Sequence, residues 1–127
     1  MSTHEKALIL IVEDDQAMGR LLKEFLRDFG YEVEVANDAQ AAYILAVELL
    51  PQLMLIDLML PKENGDTLVM RLRQNPATNA IPVALMSCTR PELTHMGGVP
   101  FLPKPFDTEE LLALINRNLH RDPASAT

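Results

Sequence analysis

Residues 51–65 read PQLMLIDLMLPKENG. The run at 53–56 is apolar without interruption, with a proline before it and a Pro, Asn and Gly cluster after it, the pattern of a strand buried on both faces of a parallel sheet. Asp57 then stands at the strand's carboxyl end, the edge of an open α/β sheet at which ligands bind. There a carboxylate reaches solvent while the sheet holds its backbone. Taken alone, Asp57 reads more readily as a turn residue accepting a backbone N–H, so the rest of the chain has to decide.

The same design recurs upstream. Residues 7–12 are apolar and close on Glu13, Asp14 and Asp15, so a second buried strand ends in acid. Residues 16–29 follow with Met18, Leu21, Leu22, Phe25, Leu26 and Phe29 at helical spacing; Asp15 is the N-cap and Gly30 the stop. Residues 32–36 alternate, as a strand near a sheet edge does. Asn37 and Asp38 cap a helix that runs to Leu50, where Pro51 ends it. Its Ala, Ile, Leu and Val content lays it flat on the sheet.

Beyond Gly65, Leu68, Val69 and Leu72 predict a third helix stopping before Pro76, and residues 82–86 a fourth strand with Ser87 at its end. Residues 99–102 predict a fifth strand that runs into Pro103, Lys104 and Pro105. Asp107 to Glu110 has the form of a capping box ahead of Leu111, Leu112, Ile115 and Leu119. Strand and helix alternate strictly, which predicts an α/β fold: a doubly wound, five-stranded parallel sheet of order 2-1-3-4-5 with helices on both faces.

Composition narrows the class of function. At 127 residues the chain suits one domain, expected over residues 1–121, with 122–127 as a tail or the start of a linker. A net charge of −7, with eleven Lys and Arg and no basic run, argues against contact with nucleic acid or an anionic membrane. Cys88 is the only cysteine, which excludes an internal disulfide and suits a reducing cytoplasm; it reads as a small packed residue. No apolar run reaches the roughly 18–20 residues of a membrane span, and the first residues lack the order of a signal peptide. The expectation is a soluble, cytoplasmic protein.

The order 2-1-3-4-5 brings Glu13, Asp14 and Asp57 together at the switch point of the sheet, flanked by Ser87 and Lys104. Clustered carboxylates repel unless a cation neutralises them, and all-oxygen ligation by carboxylates and water is the signature of a magnesium site. A carboxylate beside Mg²⁺, with a lysine and a hydroxyl to hold equatorial oxygens, can attack phosphorus and become an aspartyl phosphate. Asp57 is the central member and hence the nucleophile. A hydrolase using an Asp nucleophile would carry a second acid two residues on, where Met59 stands.

These residues, in this order on these strand ends, resemble the receiver domain of two-component response regulators, over residues 8–119. The matching positions are Glu13 and Asp14, Asp57 with Pro61 and Gly65, Ser87, Phe101, and Lys104 with Pro105. The resemblance implies a flavodoxin-like three-layer sandwich and a phosphorelay in which a histidine kinase or phosphotransfer protein phosphorylates Asp57. Ser87 and Phe101 would report the change to a downstream protein target. It further implies Mg²⁺ held by Asp14, Asp57 and the Met59 backbone carbonyl, with Glu13 acting through water, and Lys104 as partner of the phosphoryl group. It implies a cis Lys104-Pro105 bond, and Met59 and Thr89 at positions that tune dephosphorylation. On this reading the chain is a phospho-accepting switch, with self-catalysed phosphorylation and dephosphorylation, and not a separate enzyme. A phosphorylation-independent interaction module with the same fold is the alternative.

One departure stands out. Between Ser87 and Lys104 the chain is shorter than the family's usual fourth helix requires, and Pro91, Gly97 and Gly98 interrupt it. A shortened fourth helix of at most two turns within residues 89–98 is expected, together with above-average mobility there. A partner or homodimer contact beside the fifth strand and residues 111–119 is also expected.

Overall fold

A computed structural model describes residues 6–88 and 99–119 of the protein. Five strands and four helices are described, in the order β1 (Leu8–Val12), α1 (Gln16–Asp28), β2 (Glu32–Ala36), α2 (Ala39–Leu49), β3 (Leu53–Asp57), α3 (Gly65–Gln74), β4 (Val83–Ser87), β5 (Phe101–Pro103) and α4 (Thr108–Leu119). All pairings are parallel and the order is β2-β1-β3-β4-β5, as the alternation predicts. The expected short helix within 89–98, its mobility, and Thr89 lie outside the described residues. No described helix is long and apolar enough to cross a membrane.

The sheet divides the core into two apolar layers because successive side chains of a strand point to opposite faces. Leu10, Val12, Met54, Ile56, Val83 and Leu85 face α2 and α3; Ile9, Ile11, Leu53, Leu55, Ala84 and Met86 face α1 and α4. Strands β1, β3 and β4 are buried along almost their whole length, whereas β2 alternates exposed and buried as an edge strand. Removing a core leucine from either layer costs about 2–5 kcal/mol, so both faces specify the register of the sheet.

The caps are those the sequence predicts. Asp15 accepts hydrogen bonds from the N–H groups of Ala17 and Met18, and Asp38 from that of Ala41. Asp107 and Glu110 bond reciprocally, each side chain accepting the other's backbone N–H at 2.7 and 3.0 Å. Gly30 ends α1 with φ at +94°, where glycine is unstrained. Two details differ from the reading of α1 and β5. Leu21 and Phe29 are 62% and 55% exposed, because the stripe that meets the sheet is narrower than the run of apolar residues and is carried by Leu22 and Leu26. Strand β5 begins at Phe101, not Val99, since Pro100 has no N–H to give the ladder.

Gly65 is fixed by space. A Cβ there would collide with the Asp57 carbonyl oxygen, Ile56 Cγ2 and the Leu58 backbone, and the Gly65 N–H donates to the Leu58 carbonyl at 2.8 Å. The start of α3 therefore rests directly on the end of β3. Gly65→Ala is expected to lose about 1–3 kcal/mol of stability through overpacking. Urea denaturation tests this, and an unchanged midpoint would mean that the loop gives way at no cost.

Candidate functional site

Strand pleating selects the face on which the acids meet. Ile9 and Ile11 point into the α1/α4 layer and Glu13 is next in that alternation; Leu53 and Leu55 do the same ahead of Asp57. Since β1 and β3 are neighbours, with Val12 opposite Ile56, the two acids emerge side by side at the carboxyl edge. The backbone of Glu13 is pinned on the β2 side, where its N–H donates to the Ala36 carbonyl and its own carbonyl accepts from Asn37 Nδ2 at 3.0 Å. Glu13 and Asp57 are buried, at 1% and 6% exposure, while Asp14 is open to solvent. One oxygen from each of the three lies within 4.8 Å of the others.

Lys104 reaches this cluster from the far side of β4. Its N–H donates to the Ser87 carbonyl at 2.8 Å, and the Lys104-Pro105 peptide bond is cis. Lys104 Nζ donates to Glu13 Oε1 at 2.8 Å and to Asp57 Oδ2 at 3.1 Å. The remaining oxygens are also held, Glu13 Oε2 by the Asp15 N–H at 3.2 Å and Asp57 Oδ1 by the Met59 N–H at 3.0 Å. Ser87 is buried at the end of β4 and continues the alternation of Val83 and Leu85. Phe101 lies opposite Leu85 and packs, partly buried, against the α2/α3 layer.

Burial raises the pKa of Glu13; the Lys104 hydrogen bond opposes this, and Asp57 adds to the rise. Burial pulls Lys104 down, but its bonds to Glu13 and Asp57 outweigh that and leave it above the ordinary lysine value. Three carboxylates thus face one ammonium. The donors are all oxygen, their charge is only partly compensated, and one member is solvated. Such a set fits a hard, oxygen-seeking divalent cation.

The segment after Asp57 carries a strained turn. Lys62 has φ at +71°, and the Glu63 N–H donates to the Pro61 carbonyl at 2.7 Å, together the form of a γ-turn whose central residue lies in the left-handed region. For a residue with a Cβ this conformation costs roughly 1–2 kcal/mol. Met59, between this turn and Asp57, is exposed. Cys88 is exposed too, not packed, and lines a cavity of about 430 Å³ with Met18, Phe25, Phe106 and Leu111, to which Lys104 also contributes.

Two supports of the site escape a sequence reading. Asn37 looks like a helix-capping candidate yet holds the Glu13 carbonyl. Arg71 bonds Glu63 across the start of α3 and stacks over the Tyr43 ring at 4.5 Å, a pairing without a helical i, i+4 signature because Glu63 precedes the helix. The raised Glu13 value has a consequence for stability. The group's contribution is present in full below its unfolded value of about 4.5 and is lost as pH rises through the higher folded value. In chelator, the thermal midpoint of wild type is therefore expected to fall relative to that of Glu13→Gln as pH rises above about 4.5. A difference that stays constant with pH would contradict this.

Comparison with known proteins agrees with the geometry. The response regulator receiver domain family matches residues 9–116. The DNA-binding dual master transcriptional regulator RpaA of Synechocystis is 39% identical over 118 residues, covering 89% of this chain and 49% of that protein. The phosphate regulon transcriptional regulatory protein PhoB of Rhizobium meliloti is 35% identical over 118 residues, covering 89% of this chain and 52% of its own length. The chain thus spans about half the length of these curated relatives. Among solved structures, the chemotaxis protein CheY4 of Vibrio cholerae superposes with a TM-score of 0.84 at 28% identity, covering 91% of this chain and all of that one. The match runs from the first strand into the last helix and takes in the whole acidic edge, so the chain belongs to the receiver-domain family of two-component response regulators.

Proposed function

We propose that this domain accepts a phosphoryl group on Asp57 from the phosphohistidine of a histidine kinase or phosphotransfer protein, with Mg²⁺, and thereby switches a surface read by a downstream protein. The observation that carries the reading is the meeting of Glu13, Asp14 and Asp57 at one sheet edge with Lys104 Nζ bonded to two of them. Asp14, Asp57 and the Met59 carbonyl would hold the ion, and Glu13 would act through water. When bound, the ion supplies positive charge that offsets the acids and the incoming phosphoryl oxygens.

The chain's own groups account for the rest. A carboxylate oxygen of Asp57 attacks phosphorus; a P–O bond forms as the donor's P–N bond breaks, and the leaving imidazole nitrogen keeps the electron pair. The Met59 N–H steadies the Asp57 carboxylate by bonding its Oδ1. Lys104 exchanges part of its contact with Asp57 for a phosphoryl oxygen, and the Ser87 hydroxyl takes another. That exchange biases a two-state element which Ser87 and Phe101 link to the β4–β5 side of the sheet. The apolar cavity beside Lys104 gives the phosphohistidine-bearing helix of the donor a surface to rest on. Residues 1–121 act as this unit in the cytoplasm, and no contact with nucleic acid is assigned to it.

With Mg²⁺ and acetyl phosphate the protein is expected to gain one phosphoryl group by mass. Asp57→Asn removes the nucleophile and Asp14→Ala an ion ligand, so both should abolish the gain. Full labelling of Asp57→Asn would overturn the assignment. A wild-type protein that takes no phosphoryl group yet still binds its target would favour the phosphorylation-independent module.

A further inference from the structure

Between Asp57 and α3 the chain has two differently secured halves. Leu58 and Leu60 bury their side chains in the α2/α3 layer, but Met59 between them is exposed, so its peptide takes the orientation that the rest of the loop imposes. From Pro61 to Asn64 no side chain is buried, and Asn64, the N-cap of α3, makes no side-chain capping bond. A cavity of about 120 Å³, lined by Asp38, Gln40, Pro61, Lys62 and Glu63, separates this half from the first turn of α2. Apolar packing therefore does not hold the left-handed turn at Lys62, and neither does a cap.

Arg71 supplies the tie. Its Nη1 donates to both Glu63 oxygens, at 2.8 and 3.1 Å, and its Nη2 to Gln40 Oε1 at 3.1 Å. Its guanidinium lies 4.5 Å from the centre of the Tyr43 ring, whose hydroxyl accepts from Asn75 Nδ2 at 2.8 Å. One side chain thus joins the loop to α2 and α3 through a planar group whose fork and face are both engaged. The loop it steadies is the one whose Met59 N–H bonds Asp57 Oδ1.

We propose that Arg71 is a positioning residue for the acceptor loop: through Glu63 it holds the strained turn at Lys62, and with it the Met59 backbone, in the geometry that binds the metal. This rests on the metal-site reading above. The role is one of orientation, as for outer groups that fix the ligands of an ion.

The sign of one substitution separates orientation from charge. By charge alone, Arg71→Gln removes a positive group near an acidic cation site and should tighten Mg²⁺ binding. By orientation it should weaken binding, by about tenfold. The measurement is Mg²⁺ titration of the full chain, followed by amide chemical shifts, with the thermal midpoint recorded in chelator. Without metal, the Met59 amide should also exchange with solvent faster in Arg71→Gln than in wild type. Glu63→Gln should weaken Mg²⁺ by a similar factor, and the double variant should be no worse than either single one, because both remove the same tie. Unchanged or tighter binding in Arg71→Gln, unchanged Met59 exchange, or additive losses would each overturn the proposal. So would a lowered midpoint with normal Mg²⁺ affinity, which marks a purely structural role. A wild-type protein that binds no Mg²⁺ would overturn the metal site itself and this role with it.

Discussion

The bond from Lys104 Nζ to Glu13 and Asp57 is the contact on which the site depends. Both acids are buried, and a buried carboxylate without a partner is unfavourable by several kcal/mol. The lysine comes from the end of β5, yet β5 is separated from β3 by β4, so the side chain has to cross a strand to reach its partners. It does so from a backbone held on that intervening strand, through its N–H to the Ser87 carbonyl. One residue thus ties the ends of four strands, β1 and β3 through its ammonium group and β4 to β5 through its backbone N–H.

The lysine does not fully compensate the acids, and this incomplete balance has a use. Two negative charges are left at an edge where Asp14 already faces water. Under the proposed function a divalent cation neutralises them, and an incoming phosphoryl group gives Lys104 something new to bind. A cluster fully neutralised by protein groups would have no such affinity. Burial is the main cause of the raised value of Glu13; Lys104 opposes the rise and the neighbouring Asp57 adds to it.

Much of this was legible in the sequence because it depends on local pattern. The buried runs at β1, β3 and β4 can be strands only in a covered parallel sheet, and the acid or hydroxyl after each then has its edge assigned. Asp15, Asp38 and the Asp107–Glu110 pair read correctly as caps because capping is a matter of spacing. What did not read was tertiary. The exposure of Leu21 and Phe29 depends on how wide a stripe of α1 the sheet accepts. Cys88 looked like a filler and is at the surface. The Arg71 tie needs two helices and a loop to be placed before it exists.

The two-residue alternation that brings Glu13 and Asp57 to one face places a demand on chain length as well as on chemistry. Five residues of β1 precede Glu13, each paired in register with β2. Deleting one of them turns every later side chain over and puts Glu13 in Val12's place in the α2/α3 layer, whereas inserting one puts Val12 in Glu13's place beside Lys104. The same holds for the five residues ending in Asp57. In these two strands point substitutions among Ile, Leu, Val and Met conserve the layer they fill, whereas a single-codon insertion or deletion does not. Exchange of apolar side chains within these strands therefore costs only repacking, whereas a change of length there costs the site itself.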